Sequence, residues 1–219
     1  MKNILIIFII FISTSNSFAQ ESNFGNWLIY IGSKKVNSKV NIHHEIQHRN
    51  YNALGDLEQL LIRTGLGYNL SEKNNNILLG YGYIASDNYN EFGEKLRVNE
   101  HRVFQQFITK QNNGRFFWGH RYRFEQRFIE DNYKMRLRYF LNLRIPLNST
   151  SISSGAIYLS GYNEIFMDVN KETAFDRNRL YGGLGYQINK YLKFEMGYMN
   201  QFLSNFNRDQ FNIFLFSKF

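Results

Sequence analysis

The residues with the greatest chemical reach in this sequence are arginines and glutamates. Arg63, Arg102, Arg121, Arg123, Arg127, Arg136, Arg138, Arg144 and Arg179, with Glu45, Glu125, Glu164 and Glu195, form a set that could interlock. A guanidinium presents a planar fork that binds a carboxylate through two parallel bonds, so such a set can make a salt-bridged core. It can also leave a surplus of positive charge along a path for an anion. Five histidines add bases and metal ligands in principle: His43, His44, His48, His101 and His120. None lies in a G-x-S-x-G or H-E-x-x-H motif. His43-His44-Glu45 resembles a cluster only until strand geometry is applied. Neighbouring strand residues point to opposite faces, so His43 and Glu45 can share a space that His44 cannot enter. Without a nucleophile, a base and an orienting group in reach of each other, the sequence assigns no catalytic residue, metal ligand or cofactor.

The elements that must position these side chains are strands. In Lys134 to Leu147 the even positions begin Lys134, Arg136, Arg138 and the odd positions are Met135, Leu137, Tyr139, Leu141, Leu143, Ile145 and Leu147. A period of two over this length gives one charged and one apolar face, which a helix would scatter. In 118–128, Trp118, His120, Tyr122, Phe124 and Phe128 oppose Arg121, Arg123, Glu125 and Arg127. The segments 39–49 and 58–70 repeat the pattern, and 76–86, 99–110, 152–167, 176–188, 191–202 and 209–219 are further strands. Segment 24–32, around Trp27, is weaker. Short turns at 71–75, 111–114, 148–151 and 189–190 alternate with longer connections at 87–98 and 168–175, as in outer-membrane barrels, although 129–132 is short where a long loop is expected.

The count from 39–49 to 209–219 is ten strands, with both ends at one rim; twelve is the alternative. An eleventh, 24–32, cannot close such a barrel antiparallel and is expected to be an arm, a lumen insert or half of a hairpin. The expected fold is therefore an all-β, closed antiparallel transmembrane barrel. A soluble barrel would turn the same faces inside out. Against it stand glycines on the charged face (Gly65, Gly67, Gly119, Gly183, Gly185), which make room in a narrow lumen, and aromatics near strand ends, as in membrane girdles. The terminal Phe219, after Phe211, Ile213 and Leu215, resembles the signal read by barrel-assembly machinery.

Residues 1–19 read differently. Lys2, the apolar run Ile4 to Ile12 and the small residues Ser17 and Ala19 form a secretory signal peptide, too short to span a bilayer as a helix. Cleavage after Ala19 would leave one barrel domain, 20–219. No cysteine is present, so disulfides, thiolate metal sites and a lipid-modified cysteine are excluded, and the net charge is +8. That surplus suits lipopolysaccharide phosphates or an anionic solute. Export and strand alternation argue against nucleic acid as a partner; outer-membrane lipids and the assembly machinery are the partners expected. Oligomeric state is left open.

The order of short motifs resembles the exported bacterial family called domain of unknown function 2490. They are Trp27, Glu45 with Arg49, Arg63-Thr64-Gly65-Leu66-Gly67-Tyr68, Glu100-His101-Arg102 with Gln105-Gln106, and His120 to Arg127. Arg136 to Tyr139, Asn163-Glu164 and Phe175 to Arg179 complete them. The resemblance implies an outer-membrane barrel of the Bacteroidetes lineage and supplies no activity. The reading that follows is a structural or narrow barrel with an Arg/Glu-lined lumen. The alternatives are an anion or small-solute pore and, from another class, a lipid or peptide hydrolase of the outer membrane.

Overall fold

The computed structural model describes residues 24–53, 55–71, 74–170 and 173–219. The signal-peptide reading of 1–19 and the cleavage after Ala19 fall outside them. Eleven strands form one closed barrel. β1 (Phe24–Lys35), β2 (Val40–Asn50), β3 (Leu57–Asn69) and β4 (Asn75–Tyr89) begin it. β5 (Lys95–Asn113), β6 (Phe116–Ile129), β7 (Asn132–Pro146) and β8 (Ile157–Asp168) follow, and β9 (Phe175–Gln187), β10 (Leu192–Leu203) and β11 (Asn207–Lys218) complete it. Every consecutive pair is antiparallel, as period-two alternation and short connections require.

Closure departs from the sequence expectation. The barrel has eleven strands, not ten or twelve, because Phe24–Lys35 is a full wall strand rather than an arm, insert or hairpin half. It pairs parallel with β11, from Phe24 opposite Asp209 to Ser33 opposite Lys218. An odd number of strands satisfies every backbone edge by accepting one parallel seam, where hydrogen bonds are slanted but still made. Phe24 and Lys218 consequently lie at opposite rims, while Val40 and Lys218, the ends of the ten strands first counted, share one. The weak pattern of β1 has a local cause: Trp27 and Ile29 face inward while Leu28 and Tyr30 face outward, so neither face reads as polar.

The rim holding Lys35 and Phe219 is termed proximal; Phe219 pairs there with Ser33 and Lys35 through backbone hydrogen bonds of 2.9 and 2.7 Å. Connections 36–39, 70–74, 114–115, 147–156 and 188–191 lie at this rim. Connections 51–56, 90–94, 130–131, 169–174 and 204–206 lie at the distal rim. The expected asymmetry of loop length is absent: the longest connection, 147–156, is proximal, and the 87–98 segment is mostly strand, since β4 and β5 run on to Tyr89 and from Lys95. The short distal link after Ile129 is a tight turn with Glu130 at φ 46°, a conformation that a glycine normally supplies. Its backbone N–H donates to the Asn99 carbonyl at 3.1 Å, and its carboxylate accepts from the Asn99 N–H at 2.6 Å, which hold the strained residue in place.

The pleat sorts the residues cleanly. Leu66, Leu79, Leu159, Leu180 and Leu184 face outward and are about half exposed, at 46–61%, whereas arginines and glutamates point inward. Outward Lys, Arg and Asp side chains such as Lys34, Asp87, Lys95, Arg97 and Asp209 sit near the rims. Three outward histidines on the wall are hydrogen-bonded to a tyrosine hydroxyl: His44 to Tyr30 at 2.9 Å, His101 to Tyr81 at 2.5 Å and His120 to Tyr139 at 2.9 Å.

Candidate functional site

The interior is divided along the barrel axis. Its distal half is filled by charge. Glu125 on β6 is fully buried and meets Arg138 at 2.6 Å, Arg136 at 2.7 Å, Arg102 at 3.5 Å and Arg123 at 3.6 Å. Glu164 on β8 meets Arg121 and Arg138 at 2.6 Å each and Arg179 at 3.8 Å. Arg138 therefore bridges two glutamates from opposite sides. Glu45 on β2 accepts from Arg63 at 2.9 Å and contacts His43 at 3.2 Å. Glu100 on β5 takes both arms of Arg127 at 2.8 Å and pairs with Arg102 at 2.6 Å. These pairs span β2, β3, β5, β6, β7, β8 and β9, so the network braces the wall from within.

Aromatic rings complete the filling. Phe166 lies beneath Arg138 at 4.3 Å, Arg179 at 4.6 Å, Arg136 at 5.1 Å and Arg177 at 5.9 Å. Trp27 lies under Arg49 at 3.8 Å and Arg179 at 4.8 Å. A ring face attracts a cation, and stacking separates guanidiniums that would otherwise repel. Glycines provide the space: a Cβ at Gly185 would overlap the Tyr158 ring, and one at Gly80 would overlap that of Phe104. Gly119, by contrast, has open space beside it, its nearest neighbour being the Asn142 Cβ at 4.0 Å.

The structure places Glu45, Arg63, Arg102, Arg121, Arg123, Glu125, Arg127, Arg136, Arg138, Arg144, Glu164, Arg179 and Glu195 on the inner face. Arg144 and Glu195 stand apart from the main network, paired with each other at 2.9 Å nearer the proximal rim. Sequence reasoning missed Glu100, although it shares the parity of Arg102 on one strand. It also missed Arg49, Arg177 and Asp176, and the apolar lining of Trp27, Ile29, Tyr181, Met199 and Phe214. Parity could have found Glu100, Arg49 and Arg177, whereas Asp176 falls at the register shift opposite Phe166 and Met167, where alternation fails. The apolar lining gives no alternation to find.

Below the network lies a cavity of about 550 Å³ that reaches the proximal turn residues Ser38, Ser71 and Asn74. Its upper limit is set by Trp27, Arg49, Arg63 and Arg179, and among the described residues none from the distal connections lines it. The interior is a cup, open at the proximal rim and filled above. A second, open hollow of about 710 Å³ lies on the outer face of β3 to β7, against Leu66, Tyr68, Leu79, Phe107, Tyr122 and Leu137. Among the described residues no group of three His, Cys, Asp or Glu side chains is placed to hold a metal ion. At the distal rim, outside the apolar band, Asp87 is held below its ordinary range by the Arg97 guanidinium hydrogen-bonded to it at 2.7 Å.

These features define a class: an all-β closed barrel with an ion-paired interior and an apolar exterior. The family model described as protein of unknown function, DUF2490, matches residues 24–212, and the chain belongs to that family. An uncharacterized protein of Methylorubrum extorquens is 28% identical over 166 residues, covering 72% of this chain and 69% of the relative. No solved structure is matched.

Proposed function

We propose that the protein is an outer-membrane barrel, exported by its N-terminal segment, that closes its own lumen with side chains and is neither a pore nor a hydrolase. One observation carries this reading: the wall turns leucine, isoleucine, phenylalanine and tyrosine outward while its guanidiniums turn inward. In water such a surface would expose apolar area far beyond the few hundred Å² usual for a soluble monomer. In a bilayer it is the required arrangement, because a closed barrel leaves no unpaired strand edge for lipid to meet. Lipid acyl chains are the natural occupants of the outer hollow at Leu79 and Tyr122. The Tyr–His pairs are compatible with that setting, since a polar group paired before burial costs less than a lone one. Phe219, 62% exposed at the proximal rim, is the residue we assign to contact with assembly machinery.

The closed-lumen part of the reading rests on the nearly complete burial of Glu125, Arg123 and Glu164, whose side chains point inward and are tied to one another through Arg138 and its neighbours. An eight-stranded barrel is just filled by side chains and open channels appear near 16–18 strands, so eleven strands fall toward the filled end. Fractionation of cells carrying the full chain, followed by electrophoresis with and without boiling and recordings in planar bilayers, tests the reading. The expected result is a heat-modifiable band in the outer-membrane fraction, with a mature chain starting at Gln20 and no steady conductance. Folded, detergent-free protein in the soluble fraction would overturn membrane residence. A stable anion-selective current would overturn the closed lumen.

A further inference from the structure

The cup at the proximal rim is far more basic than anything needed to balance its own acids. Among the described residues, eleven lysines and arginines line it against three glutamates. Two of those glutamates, Glu45 and Glu164, are already engaged at depth by Arg63 and Arg138. Toward the mouth stand Lys35, Lys110, Arg144, Lys193 and Lys218, and among the described side chains Glu195 is the one carboxylate paired with them. Among the described residues Lys110 feels the positive charges of Lys218 and Arg144 and no acid. A structural network has no use for such an excess, because unpaired like charges around one opening repel each other.

Two further features point to a ligand. Nε of Arg63 and Nε of Arg121 donate no hydrogen bond among the described residues, and both side chains line the cup. A buried donor left unmade is costly, and an anion is the partner that guanidinium donors bind most strongly. The opposite wall is apolar and aromatic. Phe214 and Phe216 are stacked at 5.6 Å, and Phe140 and Tyr162 pack at 4.9 Å. The Lys193 ammonium sits 4.2 Å over the Phe216 ring, so charge and ring face meet in one place. The volume falls within the range of about 300–1,000 Å³ typical of small-molecule sites, which are mostly apolar with a few placed polar groups.

We infer that this cup is a binding site for a small aromatic anion, a carboxylate or phosphate monoester carried on a flat apolar body. The anionic group is held by the lysines of the mouth, and the ring lies along Phe214 and Phe216 toward the guanidinium donors of Arg63 and Arg121 above it. The site is geometrically independent of whether the outer wall meets lipid, so it stands or falls apart from the membrane reading.

Phenyl phosphate is a suitable probe, titrated by calorimetry into the folded full-length protein in zwitterionic nanodiscs. Inorganic phosphate and benzyl alcohol serve as the charge-only and ring-only arms. The expected result is saturable binding of phenyl phosphate, about tenfold or more tighter than inorganic phosphate, and none of benzyl alcohol. Lys110→Gln with Lys218→Gln removes two mouth charges that make no carboxylate pair and should weaken binding about tenfold. Phe216→Leu should weaken phenyl phosphate while leaving inorganic phosphate unchanged. Heat-modifiable mobility of each variant reports folding separately, and loss of affinity on raising the salt concentration provides a variant-free check. No saturable binding to the folded wild-type protein would overturn the inference. So would equal affinity for inorganic phosphate, or an unchanged affinity in the double lysine variant.

Discussion

At the scale of single residues, Glu125 has the most to lose. Its two oxygens receive Arg136 and Arg138 directly and lie within 3.6 Å of Arg102 and Arg123. Replacing a buried ion pair with apolar residues can be neutral, because bringing charges out of water is itself expensive. Removing one partner is another matter, since it strands the others. Glu125→Gln keeps the shape and removes the charge, leaving several guanidiniums around a neutral amide. The expected loss is about 3–5 kcal/mol, seen as a lower urea midpoint for loss of the heat-modifiable band. Lys110→Gln, outside any ion pair, should leave that midpoint within about 0.5 kcal/mol of wild type. Equal midpoints for Glu125→Gln and wild type would show that the network does not depend on this carboxylate.

At the scale of elements, legibility followed the contrast between faces. β6 and β7 carry arginine on one face and aromatic or aliphatic residues on the other, so their phase and boundaries can be read from sequence within a residue or two. β1 cannot be read that way, because Trp27 and Ile29 fill the lumen with the same kind of side chain that Leu28 presents outward. Its parallel partnership with β11 is also invisible, since register across the closing seam depends on how far the other strands tilt the sheet. The seam can be tested with the chain's own advantage of having no cysteine. Leu28 and Ile213 are register partners on the outer face. Neighbouring strands bring such Cα atoms within the roughly 4.4–6.8 Å that a disulfide needs. Oxidised Leu28→Cys, Ile213→Cys protein should therefore show a cross-link that persists through boiling, whereas Leu28→Cys with Leu215→Cys should form it less readily. A β1 lying in the lumen as an insert would give no cross-link in the first pair.

The β4–β5 extension carries a second element-scale expectation. Asp87 is held below its ordinary range by Arg97, so the pair supports the folded tip above the unfolded aspartate value of about 3.9. That support is lost as the pH falls through the lower folded value. Amide protection at Asn88 and Leu96 should drop in acid while that of Phe104, deep in the wall, holds. The Arg97 side chain is largely open to water and the pair sits at the end of the β4–β5 extension, so the effect is confined to the tip.

At the scale of the whole molecule, the question is which solvent the outer wall was made for. Fully exposed leucine tolerates lysine in water, because a surface substitution away from packing and ion pairs is usually worth within about 0.5 kcal/mol. In a bilayer the same change brings an ammonium against hydrocarbon and costs about 2–4 kcal/mol near the midplane. Leu79, 59% exposed on the outer face of β4 between Ile77 and Tyr81, separates the two cases. Leu79→Lys is expected to lower the stability of the lipid-embedded barrel by that larger amount in reversible urea unfolding, and Phe92→Lys, at a position 87% exposed in the distal connection 90–94, by much less. The difference between the two positions is the informative quantity, because it depends on depth in a membrane and not on the loss of any contact within the protein. A wall evolved for water would show both changes near zero, and then the inward guanidiniums would need another explanation than lipid.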